Sequence, residues 1–164
     1  MKVLIALLML VPVIAFAELP FNMNNSIKIT ITGYSSGNLR GGYLREQNDF
    51  YLKAVLNPDR ARYTDDATIA SSGSTKVPYF QSTEVSEELL LTGRQILDAA
   101  AEVEWLGEYN LRIQLYENNL LVDKFVRSEF IPMEEIDETP KTYQINDRAT
   151  GASATFTVQK VRQN

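Results

Sequence analysis

Two stretches of strictly alternating apolar and polar residues constrain the fold of this chain more than any other feature of its sequence. Every second residue is isoleucine in residues 26–32, and every second residue is leucine or isoleucine in residues 110–116. A period of two is typical of a strand that buries one of its faces. We therefore expect two half-buried strands, and in the second of them Arg112, Gln114 and Tyr116 point away from the core.

Shorter segments between turn residues predict the remaining elements. Further strands are expected over residues 50–56, 84–91, 124–131, 142–145 and 153–161. The polar stretch 64–74 ends in Ser-Ser-Gly-Ser and predicts a mobile connection. Thr92 and Gln95 fit a capping box, and apolar residues follow at spacings of four and three, so a short helix is expected over 95–106. Short strands separated by turns predict an all-β sandwich or barrel.

The first 17 residues have the order of a secretory signal peptide. Lys2 is followed by an apolar run over 3–17 that ends in Ala-Phe-Ala. This run is shorter than the roughly 20 residues of a bilayer span. We expect 1–17 to be a cleaved signal, 18–25 a leader and 26–164 one secreted domain, located outside the cell or in the secretory lumen. The alternative is an uncleaved anchor.

Charge and composition exclude several function classes. Removing residues 1–17 takes away Lys2 and no acidic residue, so the net charge of −5 becomes −6. An acidic domain argues against nucleic acid as a partner. The chain has neither cysteine nor histidine, which excludes thiolate chemistry and the usual general base and zinc ligand. No nucleophile elbow or phosphate loop is present. We therefore expect a binding module and not an enzyme.

Three segments carry a resemblance to a known family. They are residues 48–53 (NDFYLK), 75–80 (TKVPYF) and 111–119 (LRIQLYENN), the last followed by Asp123 and by a strand that ends near Ile131-Pro132. Their order resembles that of a C2 domain, the calcium- and phospholipid-binding β-sandwich. The resemblance implies an eight-stranded antiparallel sandwich with a short inserted helix.

The resemblance also implies a calcium site. In the family, acidic loops at one end of the sandwich hold calcium, which bridges to lipid phosphate. Asp49 matches the acid of the first loop, and Glu117, Asn119 and Asp123 match three positions of a later loop. Glutamate and asparagine stand where the family has aspartate, which implies a weak site. The alternative interpretation is that these four are turn and surface residues.

Leu120, Leu121 and Val122 lie between these acidic positions and predict a membrane-contacting loop tip. The alternative is that they pack under the loop or begin the next strand. Together these patterns predict a secreted C2-like module, at most weakly calcium-dependent, that attaches to an anionic phospholipid membrane or to a protein partner. The alternative function is a structural β-sandwich subunit of an extracellular, granule or surface assembly, without calcium or lipid binding.

Overall fold

The described part of the chain forms nine strands in two antiparallel sheets. The computed structural model describes residues 22–39, 46–58, 66–103, 109–119 and 122–162. In chain order the strands are Asn25–Ser35 (β1), Gln47–Pro58 (β2), Ala67–Ser71 (β3), Thr75–Pro78 (β4), Ser82–Leu91 (β5), Tyr109–Glu117 (β6), Lys124–Pro132 (β7), Lys141–Asn146 (β8) and Ser153–Arg162 (β9). The β1 sheet has the order β5–β1–β9–β8, and the β6 sheet has the order β3–β2–β6–β7 with β4 also paired to β2.

The alternating residues of β1 and β6 face each other across the core, as the sequence predicts. Ile29 and Ile113 are fully buried, and so are the other aliphatic residues of the same two faces. Phe50 of β2 and Phe156 of β9 complete the same cluster. Because both sheets bury one face, they pack as a sandwich, and the predicted all-β sandwich is confirmed.

β3 and β4 together form one interrupted edge strand along β2. β3 pairs with residues 53–56 of β2, and β4 pairs with residues 47–50. Between them the Leu52 N–H donates to Ser72 Oγ at 2.9 Å, and the Ser72 N–H donates to the Leu52 carbonyl at 2.8 Å. Counted this way the sandwich has eight strands, as predicted. The mobile connection expected over 64–74 is wrong for residues 67–71, which form β3 along the edge of β2 and bury Ala67 and Ile69.

The inserted helix is Gly93–Val103 (α1). The predicted capping box is present: the Thr92 N–H donates to Gln95 Oε1 at 2.9 Å, and the Gln95 N–H donates to Thr92 Oγ1 at 3.3 Å. This box starts the helix two residues earlier than expected, and residues 104–106 lie outside the described residues. Within the described part of the chain, no helix is long and apolar enough to cross a bilayer.

Four connections meet at one end of the sandwich, which we call the loop end. They join β1 to β2, β4 to β5, β6 to β7 and β8 to β9. Ser35 at the end of β1 pairs with both Ser82 and Ser153, at the starts of β5 and β9. Gln47 at the start of β2 pairs with Pro78 at the end of β4.

The predicted signal peptide and residues 18–21 of the leader lie outside the described residues.

At the loop end, Gly37 allows two connections to touch. Its φ is +50°, and a Cβ there would lie 2.3 Å from the Thr150 carbonyl oxygen. Gly151 has a similar φ of +74°, but a Cβ there would find its nearest atom 3.7 Å away. The two glycines therefore share a left-handed backbone and differ in the space around them.

We expect Gly37→Asn to lower the free energy of unfolding by about 2–3 kcal/mol, as overpacking does. Gly151→Asn should cost less than about 1 kcal/mol, because asparagine tolerates this backbone and has room. Urea unfolding followed by circular dichroism measures both variants. Equal costs would show that backbone conformation matters here and that close approach does not.

Candidate functional site

The loop end brings together the two distant stretches that carry the predicted calcium ligands. The Asn118 N–H at the end of β6 donates to the Asp49 carbonyl oxygen on β2 at 2.7 Å. The Tyr51 hydroxyl, two residues further along β2, donates to Asp123 Oδ2 at 2.8 Å. Residues 49 and 123 therefore lie at the same end of the β6 sheet, as the resemblance requires.

The two acidic residues nearest the sheet point to opposite faces of it. Glu117 pairs with Phe50, which is fully buried, so Glu117 lies on the core face and is 1% exposed. Asp49 precedes Phe50 and therefore points to the outer face, the face of the β6 sheet directed away from the core. Asp49 Oδ1 and Glu117 Oε1 are buried, and neither has a hydrogen-bond partner within the described ranges.

The remaining two predicted ligands are engaged with the protein itself. Asp123 accepts hydrogen bonds on both carboxylate oxygens, from Tyr51 and from the Asn119 N–H, the latter at 3.3 Å. The Asn119 side chain donates to the Glu117 carbonyl at 3.4 Å. Of the four predicted ligands, Glu117 therefore lies on the core face and Asp49 on the outer face. The side chains of Asp123 and Asn119 form hydrogen bonds with the chain itself.

The described residues show no assembled calcium site around these four positions. Calcium takes 6–8 oxygen ligands that converge on one point. Among the described residues, no group of three or more acidic side chains is placed to hold a metal ion. Calcium binding by Asp49, Glu117, Asn119 and Asp123 stays a prediction from the resemblance, without support from this geometry.

Among the described residues in the connections of the loop end, two large apolar side chains are exposed. Val122, in the connection from β6 to β7, is 78% exposed, and Phe80, in the turn from β4 to β5, is 59% exposed. Phe80 also has a φ of 59°, which is a strained backbone for an aromatic residue. Sequence reasoning singled out Val122 but not Phe80, whose only signal is an aromatic residue in a Pro-Tyr-Phe turn. The predicted contacts Leu120 and Leu121 lie outside the described residues.

A row of three aromatic rings crosses the outer face next to Asp123. Tyr51 stacks on Tyr116 with ring centroids 5.4 Å apart, and Tyr116 meets Phe125 edge-on at 5.6 Å. The row links β2, β6 and β7 and presents the Tyr51 hydroxyl to Asp123. Burial raises the pKa of Tyr51, and the hydrogen bond to Asp123 and the charge of that carboxylate raise it further.

Further along the outer face, a buried ion pair joins Arg112 of β6 to Asp66, which immediately precedes β3. Arg112 and Gln114 point away from the core, as predicted, but they are only 3% and 5% exposed. Asp66 accepts additional hydrogen bonds from Gln114, at 3.2 Å, and from Asn57. The network therefore fastens the start of the edge strand to the centre of the sheet.

Aromatic rings flank the Arg112 guanidinium. It lies 5.2 Å from the ring centroid of Phe130 and 5.6 Å from that of Phe125. Cation–π contacts of this kind favour a desolvated guanidinium. Sequence reasoning missed this network, because its members come from four separate strands or connections.

Comparison with known proteins identifies the fold. No protein-family model matches the sequence, and no curated protein is significantly similar to it. The structure is similar to a C2 domain of plant Extended Synaptotagmin 1, with a TM-score of 0.53 and 14% identity over 87% of this chain and 98% of that chain. It is also similar to human GIVD cytosolic phospholipase A2, with a TM-score of 0.54 and 9% identity over 88% of this chain and 17% of that one. The chain thus has the fold of a divergent C2 domain, and the resemblance found in the sequence is confirmed at the level of the fold.

We expect Asp66→Ala to lower the free energy of unfolding by about 3 kcal/mol, because it leaves the Arg112 charge buried without its carboxylate. Asp98→Ala is the matched control, since Asp98 pairs with Arg94 at 3.0 Å on the exposed face of α1. Losing that exposed pair should cost less than about 0.5 kcal/mol. Urea unfolding compares the two variants, and equal costs would contradict the structural role of the buried pair.

Proposed function

We propose that this chain is a C2-type binding module that attaches to a phospholipid membrane by inserting its loop end. The observation that carries the proposal is the exposure of Phe80 and Val122 on two separate connections at that end. Two apolar side chains at one end of a rigid sandwich can enter a bilayer interface together. The C2 fold supports the same proposal, because phospholipid binding is typical of C2 domains in general.

The expected affinity is modest. Full burial of one such side chain contributes roughly 1.5–3 kcal/mol, and both side chains are already partly covered in the free protein. Two of them therefore give reversible attachment and not permanent anchoring, similar in kind to a single weak lipid anchor. The strained backbone of Phe80 supports a functional role, because strain of this kind persists where a side chain must be held in place.

The proposed attachment relies on apolar insertion and not on calcium or on anionic lipid. Insertion of apolar side chains needs no bridging cation, so calcium coordination is not part of this mechanism. The chain carries a net charge of −5, which disfavours a purely electrostatic approach to an anionic surface. Lys76 and Lys124 are exposed beside the loop end and offset part of the local negative charge.

We further propose that the module acts outside the cell or in the secretory lumen. The support for this location is the signal-like order of residues 1–17. The attachment itself does not depend on the compartment, because it uses only the exposed side chains of the loop end.

Co-sedimentation with vesicles tests the proposal. The vesicles contain phosphatidylcholine, with and without phosphatidylserine, and each binding series is run in chelator and in millimolar calcium. We expect attachment to phosphatidylcholine vesicles in chelator, with Val122→Asp and Phe80→Asn each reducing the partition coefficient roughly tenfold. Phe80→Asn should keep the melting midpoint, because asparagine tolerates a positive φ.

Met23→Asp is the matched control, because Met23 is 50% exposed but lies at the opposite end of β1. This variant should bind like the unmodified chain. Sedimentation that appears only with calcium would contradict apolar insertion. Absence of sedimentation from every vesicle, together with self-association in light scattering, would favour the structural-subunit alternative.

A further inference from the structure

Asp123 closes the connection from β6 to β7 with two hydrogen bonds. Its Oδ2 accepts from the Tyr51 hydroxyl at 2.8 Å, and its Oδ1 accepts from the Asn119 N–H at 3.3 Å. The first bond ties the connection to β2, and the second joins its beginning to its end. Both oxygens of the carboxylate are therefore engaged with donors of this chain.

The donor on β2 is itself rigidly held. Tyr51 stacks on Tyr116, which packs edge-on against Phe125, so three strands of the β6 sheet support the Tyr51 hydroxyl. A hydroxyl on such a support is preorganised to hold an anionic acceptor. Asp123 is thereby fixed relative to the outer face of the sheet.

Val122 immediately precedes this fixed residue and is 78% exposed. A large apolar side chain normally reduces its exposure when the backbone around it is free to move. Here the backbone on its C-terminal side is fastened to the sheet by Asp123. The exposed position of Val122 is consistent with this fastening and needs no bound ion.

We infer that Asp123 is a positioning residue that holds Val122 outward for membrane contact through its hydrogen bond with Tyr51. The resemblance assigns a calcium ligand to the same position, so the two roles make opposite predictions. The inference rests on the proposed function for its membrane readout, but the hydrogen bonds can be measured without a membrane.

A double-mutant cycle on vesicle binding tests the inference. Tyr51→Phe and Asp123→Ala each remove the same hydrogen bond, so each should weaken binding to phosphatidylcholine vesicles by roughly three- to tenfold. The double variant should bind no more weakly than Asp123→Ala alone, because the two effects are not independent. The losses should be equal in chelator and in calcium.

Asp123→Asn separates positioning from metal binding. In asparagine the amide oxygen can still accept from the Asn119 N–H while the amide NH2 donates to the Tyr51 hydroxyl oxygen, which can act as an acceptor. This variant should therefore recover most of the binding that Asp123→Ala loses. A calcium ligand would behave differently: Asp123→Asn would lose calcium-dependent binding and Tyr51→Phe would retain it. That pattern, or additive losses in the double variant, would overturn the inference.

Amide hydrogen exchange, followed by NMR on the free protein, gives a second readout that does not depend on lipid. The Asn119 N–H should exchange faster in Asp123→Ala and should remain protected in Asp123→Asn. Unchanged exchange in Asp123→Ala would overturn the inference even if vesicle binding is observed. Conversely, if the unmodified chain binds no vesicles but Asn119 shows the predicted exchange, the proposed function fails and the positioning of the connection stands.

Discussion

Burial of alternating side chains between two sheets is the constraint on which the rest of this structure depends. Ile29 of β1 and Ile113 of β6 are fully buried, and their strands lie at the centres of the two sheets. A slip of one residue in either strand would turn every aliphatic residue of that face outward, so the register is fixed. The fixed register also places the strand ends. The pairing of Phe50 with Glu117 brings Asn118 to the Asp49 carbonyl oxygen, and this contact assembles the loop end.

The strands with a clear period of two could be predicted from the sequence, because the alternation of apolar and polar residues within each strand marks the face that it buries. The helix could also be predicted, since the capping box of Thr92 and Gln95 is local. The strand at 67–71 could not, because it has only five residues, of which Ala67 and Ile69 are buried, and polar residues on both sides hide this short pattern. The burial of Arg112 was unpredictable because its partners, Asp66 and Phe130, are separated from it in sequence and meet it only in the folded sheet.

The candidate site shows where a family resemblance stops being informative. The order of segments correctly predicts that residues 49 and 123 meet at one end of a C2-type sandwich. It does not predict which way each side chain points, and strand alternation sends Asp49 and Glu117 to opposite faces. Asp123 accepts hydrogen bonds from Tyr51 and from the Asn119 N–H, and the positioning role inferred for it rests on these bonds. What the loop end offers instead is apolar surface, at Val122 and at Phe80.

Depth measurements with spin labels test the central claim, insertion of the loop end, most directly. The chain has no cysteine, so single cysteines at positions 80, 122 and 23 can each carry a nitroxide without background labelling. With phosphatidylcholine vesicles in chelator, the account predicts that labels at 80 and 122 become shielded from a water-soluble relaxation agent and accessible to oxygen. The label at 23 should not change. Labels at 80 and 122 that remain as accessible to the aqueous agent as in the free protein would contradict the account.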